Sequence, residues 1–544
     1  HRVYNSAFMN MLRDERNHEY RLVIKNTLEF DPQILKRFVN FMNNPDERTA
    51  IEQFGKGDKY FGICIMMVTL PGLPMFGHGQ IEGFAEKYGM EYRRAYWDEQ
   101  PDKDLIERHE RQIFPLLHRR YLFAEVEHFR LYDFVSSDGC VNEDVFAYSN
   151  RFGSEKVLVV YHNRYAETKG WIRSSVGYSE KRDGIDERII VQKKLAEELD
   201  LHADSNYYVL FRDHNTGLEY IRNSLELFDK GLYIELGAYQ CHVFLDFCEV
   251  QDDERHHYRQ LHDILGGEGT FDIENSLKEL ILQPVHGPFR EVFNANLFHA
   301  LLNAKGDLTI GESIMKDVQL KLKCFIWALA DYTHITIDDV TAFEISIRIC
   351  KKAQVALRLM DLLEHHRLHR SRDYPSAMKF IKSFYKGRDS WVESVLLSWV
   401  FVHLLGEIVQ DEEAALRSRI WIDELLLSKI IAETLRDMGL EEASIFKGVR
   451  IVKFLTLHQY WCKGEKVRGK YIAYILEDLL KDEDIWSFLQ VHRFQDVLWF
   501  NKEAFEEFTQ WMFIISTINI LSDDSLQSEQ IAQGILRCYR VIKA

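Results

Sequence analysis

The chain has 544 residues, of which 46% are hydrophobic and 13% aromatic, so it is long enough for two to four packed domains of about 100–200 residues each. Its formal net charge of −17 argues against nucleic acid or an anionic membrane surface as a partner, because both would be repelled on average. A neutral ligand such as a sugar fits this charge better. No transmembrane helix is predicted, since glycines and prolines interrupt the apolar run at 61–74.

The eight cysteines lie far apart and mostly inside apolar runs. None of their spacings resembles a zinc site, so we expect reduced thiols, no metal and no cofactor in a cytoplasmic protein. The sequence begins at His1 without a methionine, so a signal peptide or an upstream domain would not be visible in it.

Residues 1–125 are predicted to be mixed α/β. Their apolar residues occur partly at helical spacing and partly in short continuous runs that end in turn residues. Pro115 is expected to kink the last helix of this region. The predicted elements are a helix over 3–12, a buried strand over 37–42, a helix over 60–68, a short strand and turn over 70–77, and a helix over 104–123.

Residues 126–252 are predicted to form an antiparallel β-sandwich domain. In the last predicted strand Cys241, Val243 and Leu245 alternate with other residues and share one face, as a half-buried strand requires. The strand signals lie at 145–150, 157–162, 207–211, 232–236 and 241–247.

Residues 253–544 are predicted to form an all-α domain. Only three of the nine prolines follow residue 116, and strand signals are nearly absent after residue 255. No repeat with a period of about 20–50 residues is present. His365 and His369 are four residues apart on a predicted helix, and we interpret them as part of a solvated polar face and not as a metal site. The segment "GGEG" at 266–269 lacks the lysine of a phosphate-binding loop, so nucleotide binding is not predicted.

Two short segments at the ends of predicted strands carry the most specific motifs in the sequence. They are "FMNNPD" at 41–46 and "PGLPMFGHGQ" at 71–80. They resemble, in the right order, the segments after the seventh and eighth barrel strands of the alpha-amylase family of glycoside hydrolases. The segment "EYRRAYWDE" at 91–99 and the predicted strands at 145–162 are similar to that family's last barrel helix and C-terminal β-sandwich. The resemblance covers about the first 250 residues, and the helical remainder resembles no family we can name.

The resemblance implies the fold class and the site. It implies the C-terminal part of a (β/α)₈ TIM barrel at 1–125, a β-sandwich at 126–252 and an appended all-α domain at 253–544. It also implies that Asp46 is the catalytic carboxylate that grips the sugar hydroxyls at the cleavage point, on an α-linked glucan or maltooligosaccharide. The substrate-binding residues that it implies are Asn44, His78, Gln80 and Trp97.

Retaining cleavage of a glycosidic bond also needs a nucleophile and an acid/base about 5–5.5 Å apart. In the family these two carboxylates follow strands four and five, which this chain lacks. We therefore expect the chain to be the C-terminal portion of a longer enzyme, or one piece of a complemented pair, and to be inactive alone. The N-terminal barrel portion, of the same or a partner chain, is the expected partner.

Two departures from the family pattern keep other functions open. Pro45 stands where the family has histidine, and Ile81 separates Gln80 from the glutamate that usually follows directly. Maltosyltransferases that use maltose 1-phosphate carry a similar Asn-x-Pro-Asp, so transfer rather than hydrolysis stays open. A catalytically inactive sugar-binding or scaffold protein, working through its helical domain, is the alternative.

Simpler explanations exist for the individual residues. Asp46 with Glu47 could be an ordinary helix cap followed by a first-turn acid, which is favourable at a helix N-terminus without any catalysis. His78 could be an ordinary turn histidine. The aromatic residues near the motifs could stack on sugar rings or serve only packing, and they are Phe76, Tyr92, Tyr96 and Trp97.

Overall fold

The computed structural model forms two compact units, His1–Leu280 (unit 1) and Ile281–Ala544 (unit 2). Unit 1 holds a parallel and an antiparallel sheet, whereas unit 2 is mainly helical. Tyr92 and His369 lie outside the described residues. The structure describes residues 1–87, 94–181, 188–306, 308–365, 373–385, 389–462, 475–495 and 497–543.

Unit 1 begins with three short parallel strands joined by helices. Strand β2 (Phe38–Phe41) lies between β1 (Val3–Tyr4) and β3 (Leu73–Met75) and pairs with both. The two strands and the helix predicted between residues 37 and 77 are confirmed. The helices around these strands are α1 (Ser6–Arg13), α2 (Asn17–Phe30), a 3₁₀ helix (Pro32–Arg37), α3 (Ala50–Phe54) and α4 (Asp58–Thr69).

The segment predicted as one helix over 3–12 is a strand followed by a helix. After β1, Asn5 caps α1, because its side-chain oxygen accepts a hydrogen bond from the Phe8 amide at 3.2 Å. The helical pattern is therefore correct for α1 only. A strand of two residues is too short to leave a period of its own in the sequence.

Five strands were predicted between residues 126 and 252, and all five are confirmed within an antiparallel sheet of eight strands. The antiparallel strands of unit 1 are β4 (Arg130–Ser136), β5 (Val145–Phe152), β6 (Glu155–His162), β7 (Thr168–Ser175), β8 (Tyr178–Lys181), β9 (Arg188–Val191), β10 (Tyr207–Asp213), β11 (Glu219–Asn223), β12 (Leu232–Leu236) and β13 (Cys241–Gln251). The order in the sheet is β11-β10-β13-β6-β5-β4-β7-β12, and β8 and β9 form a separate pair.

The sequence predicts a sandwich of two sheets, whereas the eight strands form one continuous curled sheet. Strand β4 pairs with both β5 and β7, and its register shifts between Tyr132 and Phe134. Such a shift bends a strand and increases its twist, so the ladder turns without a break. One apolar cluster, which includes Phe134 and Ile172, lies on one face, and a second cluster packs the other face against the helices that precede it.

Helix α4 is the centre of that second cluster. Every residue from Tyr60 to Thr69 is buried. A Cβ atom at Gly62 would lie 2.0 Å from the Tyr161 ring, so only glycine permits the observed approach of α4 to β6. Because α4 packs against both the parallel strands and β6, its sequence is apolar on all sides and not amphipathic.

The segment predicted as one helix over 104–123, kinked at Pro115, is three helices, and Pro115 lies at the first break. Helix α5 ends at Gln112, and the next helix begins at Phe114 with the proline in its first turn, where its missing N–H is not needed. The remaining helices of this part of the chain are α5 (Lys103–Gln112), α6 (Phe114–His118), α7 (Tyr121–Ala124), α8 (Leu195–Glu198), α9 (Ser224–Asp229), α10 (His257–Leu265) and α11 (Ile273–Ile281).

Unit 2 is built from helices around one apolar cluster. The exception among its described residues is an exposed hairpin of β14 (His492–Phe494) and β15 (Val497–Trp499), which the sequence analysis missed. The helices are α12 (Gln283–Val292), α13 (Ala295–Asn303), α14 (Leu308–Tyr332), α15 (Asp339–Leu357), α16 (Leu359–His365), α17 (Tyr374–Tyr385), α18 (Asp389–Val402), α19 (Ala414–Glu424), α20 (Leu427–Asp437), α21 (Glu442–Leu457), α22 (Glu483–Phe488), α23 (Lys502–Leu521) and α24 (Ser528–Lys543), with 3₁₀ turns at Ala304–Gly306 and Leu405–Val409.

One segment of unit 2, Ser390–Val409, is long and apolar enough to cross a membrane by length and composition, although no transmembrane helix was predicted from the sequence. Most of its residues are buried inside the unit, and Trp399 and Phe401 have no exposed surface. A core helix of a folded domain shows this burial, so the segment is weak evidence for a membrane span.

Two cysteines of unit 2 are in contact although 76 positions separate them in the sequence. The Sγ atoms of Cys462 and Cys538 are 3.0 Å apart, and Cys538 lies on α24. Both are free thiols, as predicted for all the cysteines. Their contact fixes α24 against the segment that follows α21.

Candidate functional site

Polar residues collect at the carboxyl ends of β2 and β3. Because these strands are parallel, with Phe41 opposite Met75, the segments that follow them emerge at the same edge of the sheet. We call residues 43–49 and 76–80, which follow the two strands, the strand-end site. The predicted residues Asn44, Asp46 and His78 therefore belong to one edge, as barrel-type sites require.

The carboxamide of Asn44 shapes the turn after β2. Its Oδ1 atom accepts hydrogen bonds from the backbone N–H groups of Asp46 at 2.9 Å and Glu47 at 3.0 Å. Asparagine side chains commonly hold turns in this way. The carboxylate of Asp46 is exposed, and its backbone carbonyl accepts a hydrogen bond from Lys87 Nζ at 2.7 Å. The turn is thus held from two sides while the carboxylate faces outward.

Asn43, and not the predicted Asn44, is the buried amide of the site. It is 4% exposed, and its Oδ1 has no hydrogen-bond partner among the described residues. A Cβ atom at Gly77 would lie 2.3 Å from that oxygen, so glycine is what lets the segment after β3 approach Asn43. A buried carbonyl oxygen without a donor costs about 1–3 kcal/mol. The two consecutive asparagines in the sequence indicated that an amide lies at this site, but the sequence does not show which of the two points inward.

His78 and Gln80 lie on opposite sides of the turn after β3. Gln80 is 2% exposed, and its Oε1 accepts the Gly77 amide at 3.1 Å. The backbone carbonyl of Gln80 also accepts a hydrogen bond from the Tyr60 hydroxyl at 2.8 Å. His78 is exposed, with its ring 6.2 Å from that of Phe84. Gln80 therefore braces the turn from inside, and His78 is the exposed residue of the two.

Trp97 stands on a loop that two carboxylates hold together. The amides of Tyr96 and Trp97 donate to Glu86 at 2.7 and 3.1 Å, and the amides of Ala85 and Glu86 donate to Glu99 at 2.7 and 2.8 Å. The rings of Tyr96 and Trp97 are 66% and 58% exposed. No sequence pattern distinguishes Glu86 or Glu99, because their partners are backbone groups. Both aromatic rings are presented to solvent, where they could stack on a sugar.

A buried histidine, His109, is hydrogen-bonded to the tyrosine that holds the turn after β3. His109 has no exposed surface, and its Nδ1 lies 2.9 Å from the Leu105 carbonyl oxygen. Its Nε2 lies 3.1 Å from the hydroxyl of Tyr60, which also reaches Gln80. Burial lowers the pKa of His109 and raises the pKa of Tyr60, so both groups are uncharged near neutral pH. This arrangement anchors the turn after β3 on α4 and α5.

The chemistry available to the strand-end site is that of an exposed carboxylate, Asp46, and an exposed imidazole, His78. The exposed rings of Tyr96 and Trp97 belong to the separate loop that Glu86 and Glu99 hold. Asp46 can accept hydrogen bonds from two sugar hydroxyls, and His78 can donate or accept one. In the part of the chain that the structure describes, no group of three or more His, Cys, Asp or Glu residues is placed to hold a metal ion.

Comparison with known proteins gives matches in structure only. The sequence matches no protein-family model, and no curated protein matches it significantly. Solved structures similar to the chain include the alpha-amylase from Geobacillus thermoleovorans solved with acarbose (12% identity, 42% of each chain, TM-score 0.28) and an Anoxybacillus alpha-amylase (11% identity, 44% of this chain and 45% of that one, TM-score 0.28). A maltogenic alpha-amylase from Thermotoga neapolitana is also similar (14% identity, 43% of this chain and 50% of that one, TM-score 0.26).

The chain thus spans half or less of the length of each of these three enzymes. All three carry the name of the family that the motifs resemble. TM-scores of this size do not establish a shared fold, so function has to be argued from the residues themselves.

Proposed function

We propose that this chain is part of an alpha-amylase-type enzyme that acts on α-linked glucans or maltooligosaccharides, by retaining hydrolysis or by transfer. One observation carries the proposal. Strands β2 and β3 are adjacent and parallel, and the segments "FMNNPD" and "FGHGQ" leave them at the same edge. These are the two segments whose sequences resemble that family in order and spacing.

In this proposal the strand-end site grips the sugar at the cleavage point. Asp46 accepts hydrogen bonds from two sugar hydroxyls and favours the distorted, positively charged form of the ring that develops as the bond breaks. Asn44 holds the turn that presents Asp46 and helps to orient the same sugar. His78 and Trp97 contact neighbouring sugar units, and Gln80 acts through the turn that it braces.

The nucleophile and the acid/base come, in this proposal, from barrel strands beyond the three described here. Support lies in the free edges of the parallel sheet. Among the described residues β1 and β3 each pair only with β2, and Val3 and Tyr4 are 57% and 56% exposed. Parallel sheets normally have their edges paired or covered. The proposed partner is therefore the N-terminal barrel portion, on the same or a second chain, in the cytoplasm.

The test is activity of the protein as isolated from its source. Maltoheptaose, with α-linkages, and cellohexaose, with β-linkages, are supplied in parallel, and the release or transfer of sugar is followed by chromatography. We expect turnover of maltoheptaose with retention at the anomeric carbon, and none of cellohexaose. Turnover of both sugars at the same rate, or inversion of configuration, would contradict the proposal.

A second candidate is a catalytically inactive sugar-binding or scaffold protein. Pro45 favours it, because the histidine that the family has there would supply a hydrogen-bond donor to the sugar. Binding of maltoheptaose without any turnover, in a preparation that contains every copurifying chain, would select this function over the enzyme.

A further inference from the structure

A second concave site lies in unit 1, apart from the strand-end site. The curled sheet ends in β11 and β12, and residues of both strands line a cavity of about 1260 Å³. The loop 266–269, whose sequence "GGEG" gave no sign of function, forms part of its wall. A Cβ atom at Gly269 would lie 2.9 Å from the Tyr220 ring, so glycine lets this loop close against the wall. We call this site the sheet-edge cavity.

Aromatic rings supply much of the lining of the sheet-edge cavity. Phe211 stacks on Tyr220 with ring centres 5.6 Å apart and planes 15° apart, and Phe244 meets Tyr220 edge-on at 5.8 Å. At the rim Trp171 and Tyr233 face each other across β7 and β12 with ring centres 5.0 Å apart. Tyr233 is 37% exposed, so its ring is within reach of a ligand. Flat apolar rings with polar tips suit the alternating C–H and O–H groups of a sugar.

A chain of hydrogen bonds from the interior fixes the polar side of the cavity. Asp213 has no exposed surface and lies 3.0 Å from Nδ1 of His242, which we assign as the protonated nitrogen. The carboxamide nitrogen of Gln240, an exposed residue at the cavity, then donates to His242 Nε2 at 3.1 Å. The Gln240 Oε1 atom accepts the Gly237 amide at 2.6 Å. The amide of Gln240 is therefore held in one orientation before any ligand arrives, which lowers the entropy cost of binding.

Charges of both signs line the cavity in nearly equal number. The cations are Lys169, Arg222 and Lys230, and the carboxylates are Glu226, Glu235, Asp263 and Glu268. Lys230 Nζ lies 2.9 Å from Glu226 Oε1, and Lys169 stands opposite Glu235 on the paired strands β7 and β12. Such a lining has little net charge to attract an anion or a cation. The outer edge of β12 also keeps backbone N–H and C=O groups unpaired among the described residues, and hydroxyl groups can bond to both kinds.

We propose that the sheet-edge cavity binds a neutral oligosaccharide. Its volume exceeds the roughly 300–1,000 Å³ typical of small-molecule sites, so it takes several sugar units and not one. Trp171 and Tyr233 stack on the sugar faces, and Gln240 bonds to a hydroxyl. The inference goes beyond the proposed function, because it uses none of the strand-end residues and requires no catalysis. A second site of this kind would hold a polysaccharide chain on the protein.

The test is calorimetric titration of the whole protein with maltoheptaose, cellohexaose, xylohexaose and mannohexaose. We expect at least one of them to bind. The variants Trp171→Ala and Tyr233→Ala are expected to weaken that binding at least tenfold, because each removes one stacking face. Tyr165→Ala, which removes an 82% exposed tyrosine that packs on Tyr239, serves as the matched control and is expected to bind like the parent.

Circular dichroism and thermal unfolding of each variant show whether the fold survives. Gln240→Ala is a third cavity variant, at an exposed position, and it leaves the rings of Trp171 and Tyr233 in place. Binding to none of the four sugars would overturn the inference. So would binding that the three cavity variants leave unchanged. If Asp46→Asn abolishes binding while the cavity variants retain it, the sugar sits at the strand-end site, which overturns the cavity inference and leaves the proposed function standing.

Discussion

The two units reach stability by different means. Unit 1 has several separate apolar clusters, and buried polar groups tie its elements together at defined points. An example is Arg21 of α2, 4% exposed, which donates to the carbonyl oxygens of Tyr132 and Val145 and pairs with Asp133 and Glu143. Unit 2 has one continuous cluster with contributions from most of its helices.

This difference explains where function could be recognised. The fold of unit 1 depends on single polar contacts and on glycines that let neighbouring segments approach closely. Such a fold needs particular residues at particular positions, so unit 1 carries motifs. A helical unit with one apolar core accepts many apolar sequences of similar volume. Unit 2 accordingly resembles no family by sequence, and what its residues show is how its helices pack.

The largest expected effect is at the strand-end site. Asp46→Asn in the complete protein is expected to reduce turnover of maltoheptaose by about a thousandfold or more, because it removes a contact that is strongest in the transition state. Thermal unfolding should not change, since the Asp46 side chain is exposed. Glu110→Gln, an exposed change of the same kind on α5, is the control. Unchanged turnover in Asp46→Asn would remove Asp46 from the mechanism.

The next effect probes the polar ties of unit 1. Arg21→Ala is expected to lower the free energy of unfolding by about 3 kcal/mol, because two buried carbonyl oxygens lose their donor and two carboxylates lose their partner. Urea unfolding, monitored by circular dichroism, measures it. Arg173→Ala, at an exposed position on β7, should cost little. Equal losses in the two variants would mean that Arg21 does not join α2 to the sheet.

The close thiols of unit 2 allow a test of its packing. Diamide, a thiol oxidant, should convert Cys462 and Cys538 to a disulfide, with both thiol protons and two electrons passing to diamide. The disulfide closes a long loop, so the oxidised protein should have a free energy of unfolding about 2–4 kcal/mol higher than that of the reduced protein. Urea unfolding of both forms measures this difference. Peptide mapping identifies the bond, and Cys538→Ser is the control. A disulfide between other cysteines would contradict the observed position of α24.

Acid should weaken unit 1 through Asp213. Burial by itself would raise the pKa of Asp213, but hydrogen bonds from His242, Thr216 and the Val243 amide outweigh it and hold the pKa below its ordinary value. Such a group stabilises the fold above its unfolded pKa of about 3.9, and that contribution disappears as the pH falls through the lower, folded pKa.

Asp213→Asn should therefore lower the unfolding free energy by about 1–3 kcal/mol at pH 6 and by less at pH 3. Urea titrations at the two pH values measure the difference. A loss that is the same at both would assign the effect to packing and not to the charge. Asp138→Asn, in the exposed turn after β4, is the comparison variant.

The smallest expected effects come from one kind of substitution, glycine to alanine, made once in each unit. Gly62→Ala should destabilise unit 1 by about 1–2 kcal/mol, because the new methyl group meets the Tyr161 ring. Gly311→Ala on α14 meets only the Ala304 carbonyl oxygen at 3.7 Å and should stabilise unit 2 by about 0.5–1 kcal/mol through helix propensity. Thermal unfolding of both variants tests this, and a gain in Gly62→Ala would show that α4 can move away from β6.

The sequence predicted the elements that leave a long or sharp pattern. Five strands of the antiparallel sheet (β5, β6, β10, β12 and β13), helix α4, the break at Pro115 and the helical character of unit 2 all follow from periodicity, turn residues and proline chemistry. Strands β4, β7, β8, β9 and β11 of unit 1 were missed. So were β1 and the β14–β15 hairpin, because strands of two or three residues show no period. The sequence also predicted two sheets where a register shift in β4 makes one.

By itself the sequence determined which residues follow β2 and β3 and that Asp46 and Glu47 are the acids among them. Only the tertiary structure decided that Asn43 and Gln80 point inward while Asp46, His78 and Trp97 remain exposed. It also decided that the two end strands of the sheet, β11 and β12, both line the sheet-edge cavity. The physical reason is that strand and helix patterns are local, whereas the direction of a side chain in a turn and the meeting of distant strands depend on contacts between residues far apart in the chain.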